Sequence, residues 1–182
     1  MKQLISLLIE NKPGALMRVT GVLTARGYNI ESLTVARTLD STLSSMTIVV
    51  DVDPVMQFLL IKQIKRLVNV VEVTDLTESR SVCGEMALVK IETTPEKRAA
   101  LLKEIDVFGA RIAKTDLLSY TLEATGTSDE LDSFISLLHS YGTIEMIRSG
   151  AIAISGSSTT KSDDPLADIT DSNGEAQEAL QV

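Results

Sequence analysis

"LLIENKPGALMRVTGVLTARGYNI", residues 7–30, aligns without a gap on "VKIETTPEKRAALLKEIDVFGARI", residues 89–112. Glu10 falls on Glu92, Gly27 on Gly109 and Ile30 on Ile112, each pair 82 residues apart. Further along the separation is 74: Thr47 falls on Thr121, Leu60 on Phe134, Ile64 on Leu138 and Val73 on Ile147. One unit therefore occurs twice, and the second copy is eight residues shorter between its second and third elements. A repeat of this kind sets the architecture before any local propensity is weighed.

In the first unit Leu4 to Ile9 reads as a strand, and the helix that starts at Pro13 carries Leu16, Val19 and Leu23 on one face. Gly27 suits the left-handed position that stops this helix. "IESLTVA" and "SMTIVVDV" are β-branched apolar runs that predict the next two strands. Asp53 before Pro54 supplies a cap and a favoured first helical residue, and Met56, Leu60, Ile64 and Leu67 make a stripe. "VVEVTDL" closes the unit. In the second unit Thr94 and Pro95 repeat the start signals, and Thr127 with Glu130 forms a capping box. Leu131, Phe134, Ile135 and Leu138 then have helical spacing. Gly142 ends that helix, "TIEMIR" is the next strand, and "AIAIS" predicts one more.

The order βαββαβ is the ferredoxin-like arrangement. The expected fold is thus α+β, two tandem units of antiparallel sheet with helices on one face. The units span 1–79 and 80–156. Residues 157–182 form an acidic tail, rich in Ser, Thr and Asp and without aromatics, that reads as disordered. A unit of this size has a thin core and open sheet edges, and pairing removes both defects, so a dimer or larger assembly is expected.

Composition narrows the function. The formal charge is −8, but Asp163, Asp164, Asp168, Asp171, Glu175 and Glu178 face Lys161 alone in the tail, which leaves the body nearly balanced. No basic surface offers itself to nucleic acid. The apolar run at the N-terminus is one strand long and meets Glu10, Asn11 and Lys12 at once, so neither a signal peptide nor a membrane span is expected. A cytoplasmic location follows as an expectation, and the single cysteine, Cys83, fits a reducing compartment.

Other uses of this topology need residues that the chain lacks. RNA-binding domains stack bases on central-strand aromatics, but Tyr28 and Phe58 of the first unit are on no central strand and the second has Tyr120 alone there. Metal carriers of this order place paired thiolates at the first strand–helix turn, which here holds Asn11, Lys12 and Pro13. Acid–base catalysis favours a histidine or perturbed carboxylate beside a nucleophile. The one histidine, His139, sits in the last turn of a helix, where a cation suits the dipole.

Binding remains. A helix start has unpaired N–H groups and a partial positive charge of roughly half a unit, which suits a carboxylate. Pro13 fixes the entry angle, Gly14 lets a ligand approach the backbone, and the amides of Gly14, Ala15 and Leu16 are expected to be free. Asn11 adds a group that can donate to a carboxylate and accept from an ammonium, the two ends of a free amino acid. Asn29 lies just past the helix, which holds it roughly 20 Å from Asn11 at 1.5 Å per residue. The two can meet only across a two-fold contact between chains. On residue chemistry alone Asn11 reads equally as a cap and Asn29 as a turn residue. The second unit has Thr93 and Arg111 at these places.

The stretch "LLIENKPGALMRVTGVLTARGYNIESLTV", with "SSMTIVV", "EMALVKIETT" and "RSGAIAIS", resembles the small, regulatory subunit of acetohydroxyacid synthase (acetolactate synthase) and its ACT domain, over about residues 2–156. The resemblance implies a non-catalytic partner without cofactors of its own. That partner would bind a large catalytic subunit carrying thiamine diphosphate, magnesium and FAD, on the route to valine, leucine and isoleucine. It also implies activation, feedback inhibition by valine, and a homodimer paired through ACT domains. Carried onto matching positions, it assigns Asn11, Gly14, Ala15 and Leu16 of one chain and Asn29 and Ile30 of the other to the effector site. The chain departs from the pattern at Gly84–Glu85, where the family commonly has Arg–Glu. A free-standing amino-acid sensor for another enzyme or transporter is the alternative expectation.

Overall fold

The computed structural model describes residues 2–77 and 81–156; the tail expected at 157–182 lies outside the described residues. In chain order the first unit contains β1 (Lys2–Glu10), α1 (Ala15–Ala25), β2 (Ile30–Arg37), β3 (Leu43–Asp51), α2 (Pro54–Ile64) and β4 (Val70–Asp75). The second contains β5 (Ser81–Thr93), α3 (Pro95–Phe108), β6 (Arg111–Thr115), β7 (Ser119–Gly126), α4 (Ser128–His139), β8 (Gly142–Arg148) and β9 (Ile152–Ser155). The sheets are antiparallel, in the orders β2-β3-β1-β4 and β6-β7-β5-β8, and β9 pairs the first residues of β5. Two βαββαβ units are therefore present, and no described helix is long and apolar enough to cross a membrane.

Each sheet buries the face that its alternation prescribes. On β1 the residues Gln3, Ile5, Leu7 and Ile9 are buried, with Ile5 opposite Ile48 and Leu7 opposite Met46 on β3. On β5 Ala87, Val89 and Ile91 meet Ala124, Leu122 and Tyr120 of β7. The helices cover these faces and give each unit its own core. In the second, the rings of Phe108 and Phe134 stack at 4.1 Å and join α3 to α4.

Several local expectations need correction. The helix expected from Pro13 begins at Ala15, because Pro13 and Gly14 form a turn with Gly14 at φ 82°. Its inward face runs Ala15, Val19 and Leu23, so Leu16 is turned out and 42% exposed. On α2 Gln57 joins Leu60 and Ile64 inside, while Met56 and Leu67 only flank the core. The Asp53 carboxylate caps α2 by accepting from the Met56 N–H at 2.9 Å, and the Thr127–Glu130 capping box is present. Thr94 stands at its cap position without capping α3; its hydroxyl serves the Glu96 carboxylate instead, which holds that group below its ordinary pKa. Gly27 and Gly109 are left-handed helix stops, but Gly142 opens β8 and has no positive φ.

The units touch through a bulge between β8 and β9. Arg148 pairs with Ala87 and Ile152 with Gly84, so one extra residue is accommodated, and Gly150 turns with φ 79°. The bulge lies against β2: the Thr34 hydroxyl donates to the Ser149 carbonyl at 3.2 Å, and the Ala151 N–H donates to Ser32 Oγ at 3.3 Å. A Cβ at Gly150 would stand 3.1 Å from both Ser32 Cβ and Thr34 Oγ1. Gly150→Ala should therefore cost about 1–2 kcal/mol in backbone strain and loosen this contact. Faster amide exchange at Ala151 with unchanged exchange in either core would register the effect.

Candidate functional site

The turn that leads into α1 is tied to two neighbours. The Asn11 N–H donates to the Thr42 carbonyl at 2.7 Å, and Asn11 Nδ2 donates to the Ser41 carbonyl at 2.9 Å. Both acceptors lie in the β2–β3 hairpin, so Asn11 clamps that loop to the helix start. Its Oδ1 accepts no hydrogen bond among the described residues. Ala15 departs from expectation, because its N–H closes the turn on the Lys12 carbonyl at 3.2 Å. Among the described residues the amides of Gly14 and Leu16 have no acceptor, and Gly14 holds a left-handed conformation that a side chain would strain.

A network that the sequence did not reveal holds the turn from below. The Glu10 N–H donates to the Asn69 carbonyl at 2.8 Å, and Asn69 Nδ2 returns a bond to the Glu10 carboxylate at 2.5 Å. The Arg18 guanidinium donates to Asn69 Oδ1, and Lys12 Nζ lies 2.8 Å from Glu10 Oε1. Asn69 is 6% exposed, so its amide is satisfied only by these partners. No local signal marks it, since Arg18 is 51 and Glu10 is 59 residues away.

Lys12 first, then Asn69, hold the Glu10 pKa below its ordinary 4.5. A carboxylate with a lower pKa in the folded state adds stability that is complete above the unfolded value and is lost as the pH falls through the folded one. Acid unfolding below about pH 4.5 should therefore be shallower in Glu10→Gln than in the unsubstituted chain, a difference readable in urea melts across that range.

Asn29 lies at the other end of the unit. Its Nδ2 donates to Glu31 Oε1 at 2.8 Å, and its carbonyl accepts from the Asp51 N–H at 3.4 Å. Ile30 follows, half-buried against the first core. The sheet register fixes the separation: Arg37 is opposite Ser44 and Ser44 opposite Ile9, whereas Ile30 is opposite Val50 and Val50 opposite Gln3. Asn11 thus belongs to the Ile9 end and Asn29 to the Gln3 end, and one chain does not bring them together.

The edge strand β2 joins these ends. It pairs with β3 on one side only, and its residues 32–36, Ser-Leu-Thr-Val-Ala, are uncharged. The corresponding edge of the second unit, β6, is fully exposed and carries Arg111 paired with Glu123 and Lys114 paired with Asp116. Charge on an edge strand discourages pairing with another chain, and its lack permits it.

A cleft of about 570 Å³ lies between the units; neither Asn11 nor Asn29 lines it, though Glu31, the hydrogen-bond partner of Asn29, does. Within it Arg148 is bonded to Glu85 at 3.5 Å and also reaches Asp132 at 2.5 Å. Cys83 lines the cleft, and burial, with Glu85 nearby, pushes the thiol pKa up and away from nucleophilic use.

Comparison with known proteins agrees with the fold. The family described as the small subunit of acetolactate synthase matches residues 84–157, and the AHAS small subunit-like ACT domain matches residues 5–72. A probable acetolactate synthase small subunit of Archaeoglobus fulgidus is 42% identical over 154 residues, covering 85% of this chain and 96% of that protein. The acetolactate synthase small subunit of Haemophilus influenzae is 40% identical over 156 residues, with coverage of 85% and 96%. The crystal structure of the small subunit from Thermotoga maritima superposes with a TM-score of 0.77 at 31% identity, over 87% of this chain and 99% of that one. The chain, with its doubled unit and its Asn-Lys-Pro-Gly turn, belongs to the acetolactate synthase small-subunit family.

Proposed function

We propose that this chain is the non-catalytic regulatory subunit of a cytoplasmic acetolactate synthase. It activates a large subunit that carries thiamine diphosphate, magnesium and FAD, and it makes that enzyme sensitive to valine. The effector site forms between two copies paired antiparallel through β2. The observation that carries this reading is the sheet register: Asn11 and Asn29 stand at opposite ends of β2. An antiparallel β2–β2 contact brings the Asn29 end of one copy level with the Asn11 end of the other.

In that arrangement the Gly14 and Leu16 amides take the carboxylate, helped by the helix dipole, and the asparagine carboxamides take the ammonium and the remaining carboxylate oxygen. Ala15 is buried behind the turn, while Leu16 and Ile30 offer an apolar wall to the side chain. Burying a valine side chain contributes about 1.5–3 kcal/mol. Each charge-assisted hydrogen bond adds about 1.5–3 kcal/mol, so the zwitterion contacts decide affinity and orientation. Because the site needs both copies, valine and dimerisation stabilise each other.

Calorimetric titration of valine into the purified chain tests the site. Saturable heat is expected, and Asn11→Ala or Asn29→Ala should each weaken binding by about tenfold or more. Unchanged affinity in both variants would reject the assignment. Reconstitution with the large subunit tests the role: acetolactate formation should rise on adding this chain and fall again with valine.

A further inference from the structure

Helix α2 is apolar on two sides. Leu60 and Ile64 are buried in the first core, yet Val55, Phe58 and Leu59 are 70%, 58% and 41% exposed. Residues spaced i, i+3, i+4 form one ridge, and a surface helix ordinarily turns a polar face to water. The internal repeat supplies a control. At the separation of 74, Val55, Phe58, Leu59 and Lys62 correspond to Asp129, Asp132, Ser133 and Ser136 on α4. The same place in the same fold is filled there by acids and serines, so folding does not require the ridge.

Charge adds a second observation. The Lys62 ammonium lies 4.2 Å from the centroid of the Phe58 ring, and Lys65 and Arg66 follow at the end of the helix. None of the three has an acidic partner among the described residues, a condition they share with Arg26, Arg37 and Lys103. Cations at a helix C-terminus suit the dipole, which accounts for the lysines but not for the exposed phenylalanine one turn before them.

We propose that the outer face of α2 is the docking surface for the catalytic large subunit, which meets it with an apolar slot rimmed by carboxylates. The proposal rests on the regulatory-subunit reading above. Charge selects the occupant. Lys62, Lys65 and Arg66 all stand at the C-terminal end of the ridge, and an apolar surface bordered there by carboxylates complements them. An exposed aromatic set among apolar neighbours is also the composition of an interface core.

The test uses the full chain and the purified large subunit, with binding followed by sedimentation and calorimetry at low and high salt. Phe58→Asp, which installs the residue found at the equivalent place in the second unit, should weaken large-subunit binding roughly 30-fold or more. Valine affinity and the melting temperature should not change. The double variant Lys62→Glu, Lys65→Glu alters only exposed side chains, so it carries the test if Phe58→Asp folds poorly. It should weaken binding about tenfold and flatten its salt dependence. Large-subunit binding by both variants as tight as by the unsubstituted chain overturns the proposal. So does a change in self-association with large-subunit affinity intact, which would assign the face to a second copy. If the unsubstituted chain itself does not bind the large subunit, it is the regulatory reading that fails.

Discussion

Gly142→Ala is expected to cost the second unit about 3 kcal/mol and to lower its melting transition by roughly 10 to 20 °C. The reason is a close approach of two backbones. A Cβ at this position would lie 1.8 Å from the Glu92 carbonyl oxygen and 2.9 Å from its carbon. Neither atom belongs to a flexible side chain, so β8 must move away from β5 where Gly142 pairs with Thr93. That displacement also disturbs the Thr93 hydroxyl, which donates to the Tyr141 carbonyl at 3.0 Å. Gly21→Ala provides the opposite sign within the same chain. Gly21 sits inside α1 with nothing within 4 Å of its would-be Cβ, so the substitution should stabilise the first unit by about 0.5–1 kcal/mol. Two transitions moving in opposite directions on a calorimetric scan would bear out both assignments, and a Gly142→Ala chain that melts like the parent would contradict the strand packing described here.

Mixing Asn11→Ala chains with Asn29→Ala chains is expected to restore roughly a quarter of the tight valine sites, although each variant alone has lost them. Roughly half of randomly exchanged dimers contain one chain of each kind. Such a dimer assembles one site with both asparagines and one with neither. If the two residues served a site within one chain, mixing would restore nothing. The stoichiometry of tight binding in a titration of the mixed sample, after exchange is verified with differently tagged chains, separates these outcomes. No recovery in verified mixed dimers would remove the shared site from the proposed mechanism.

Much of the fold is legible in the chain alone because the repeat and the periodicities are local or self-referential. The apolar run from Leu4 to Ile9, the cap at Asp53, the capping box at Thr127 and Glu130, and the left-handed stop at Gly27 all act within a few residues of themselves. The misjudged positions share a different physics. Leu16 is apolar and correctly spaced, but the helix rotates so that Ala15 faces the sheet, a choice made by the packing partner. Gly142 looks like a helix stop because glycine often is one. Its real constraint comes from Glu92, fifty residues earlier in the chain.

The candidate site divides in the same way. Pro13, Gly14 and the amides behind them can be read from seven residues, since a turn before a helix needs only its own backbone to expose donors. The support beneath it cannot: Glu10, Arg18 and Asn69 converge because β1, α1 and the start of β4 end at one corner of the sheet. Nor can the distance between Asn11 and Asn29 across the sheet be had from sequence order, for it depends on the register of three strands. By itself the sequence determined the doubled unit, its elements and the helix-start turn, since these follow from short-range hydrogen bonding and hydrophobic period. Only the tertiary structure decided which helix face is left bare, which sheet edge is left open along an uncharged stretch, and which buried amide holds the turn. Each of those is a property of surfaces brought together from distant parts of the chain.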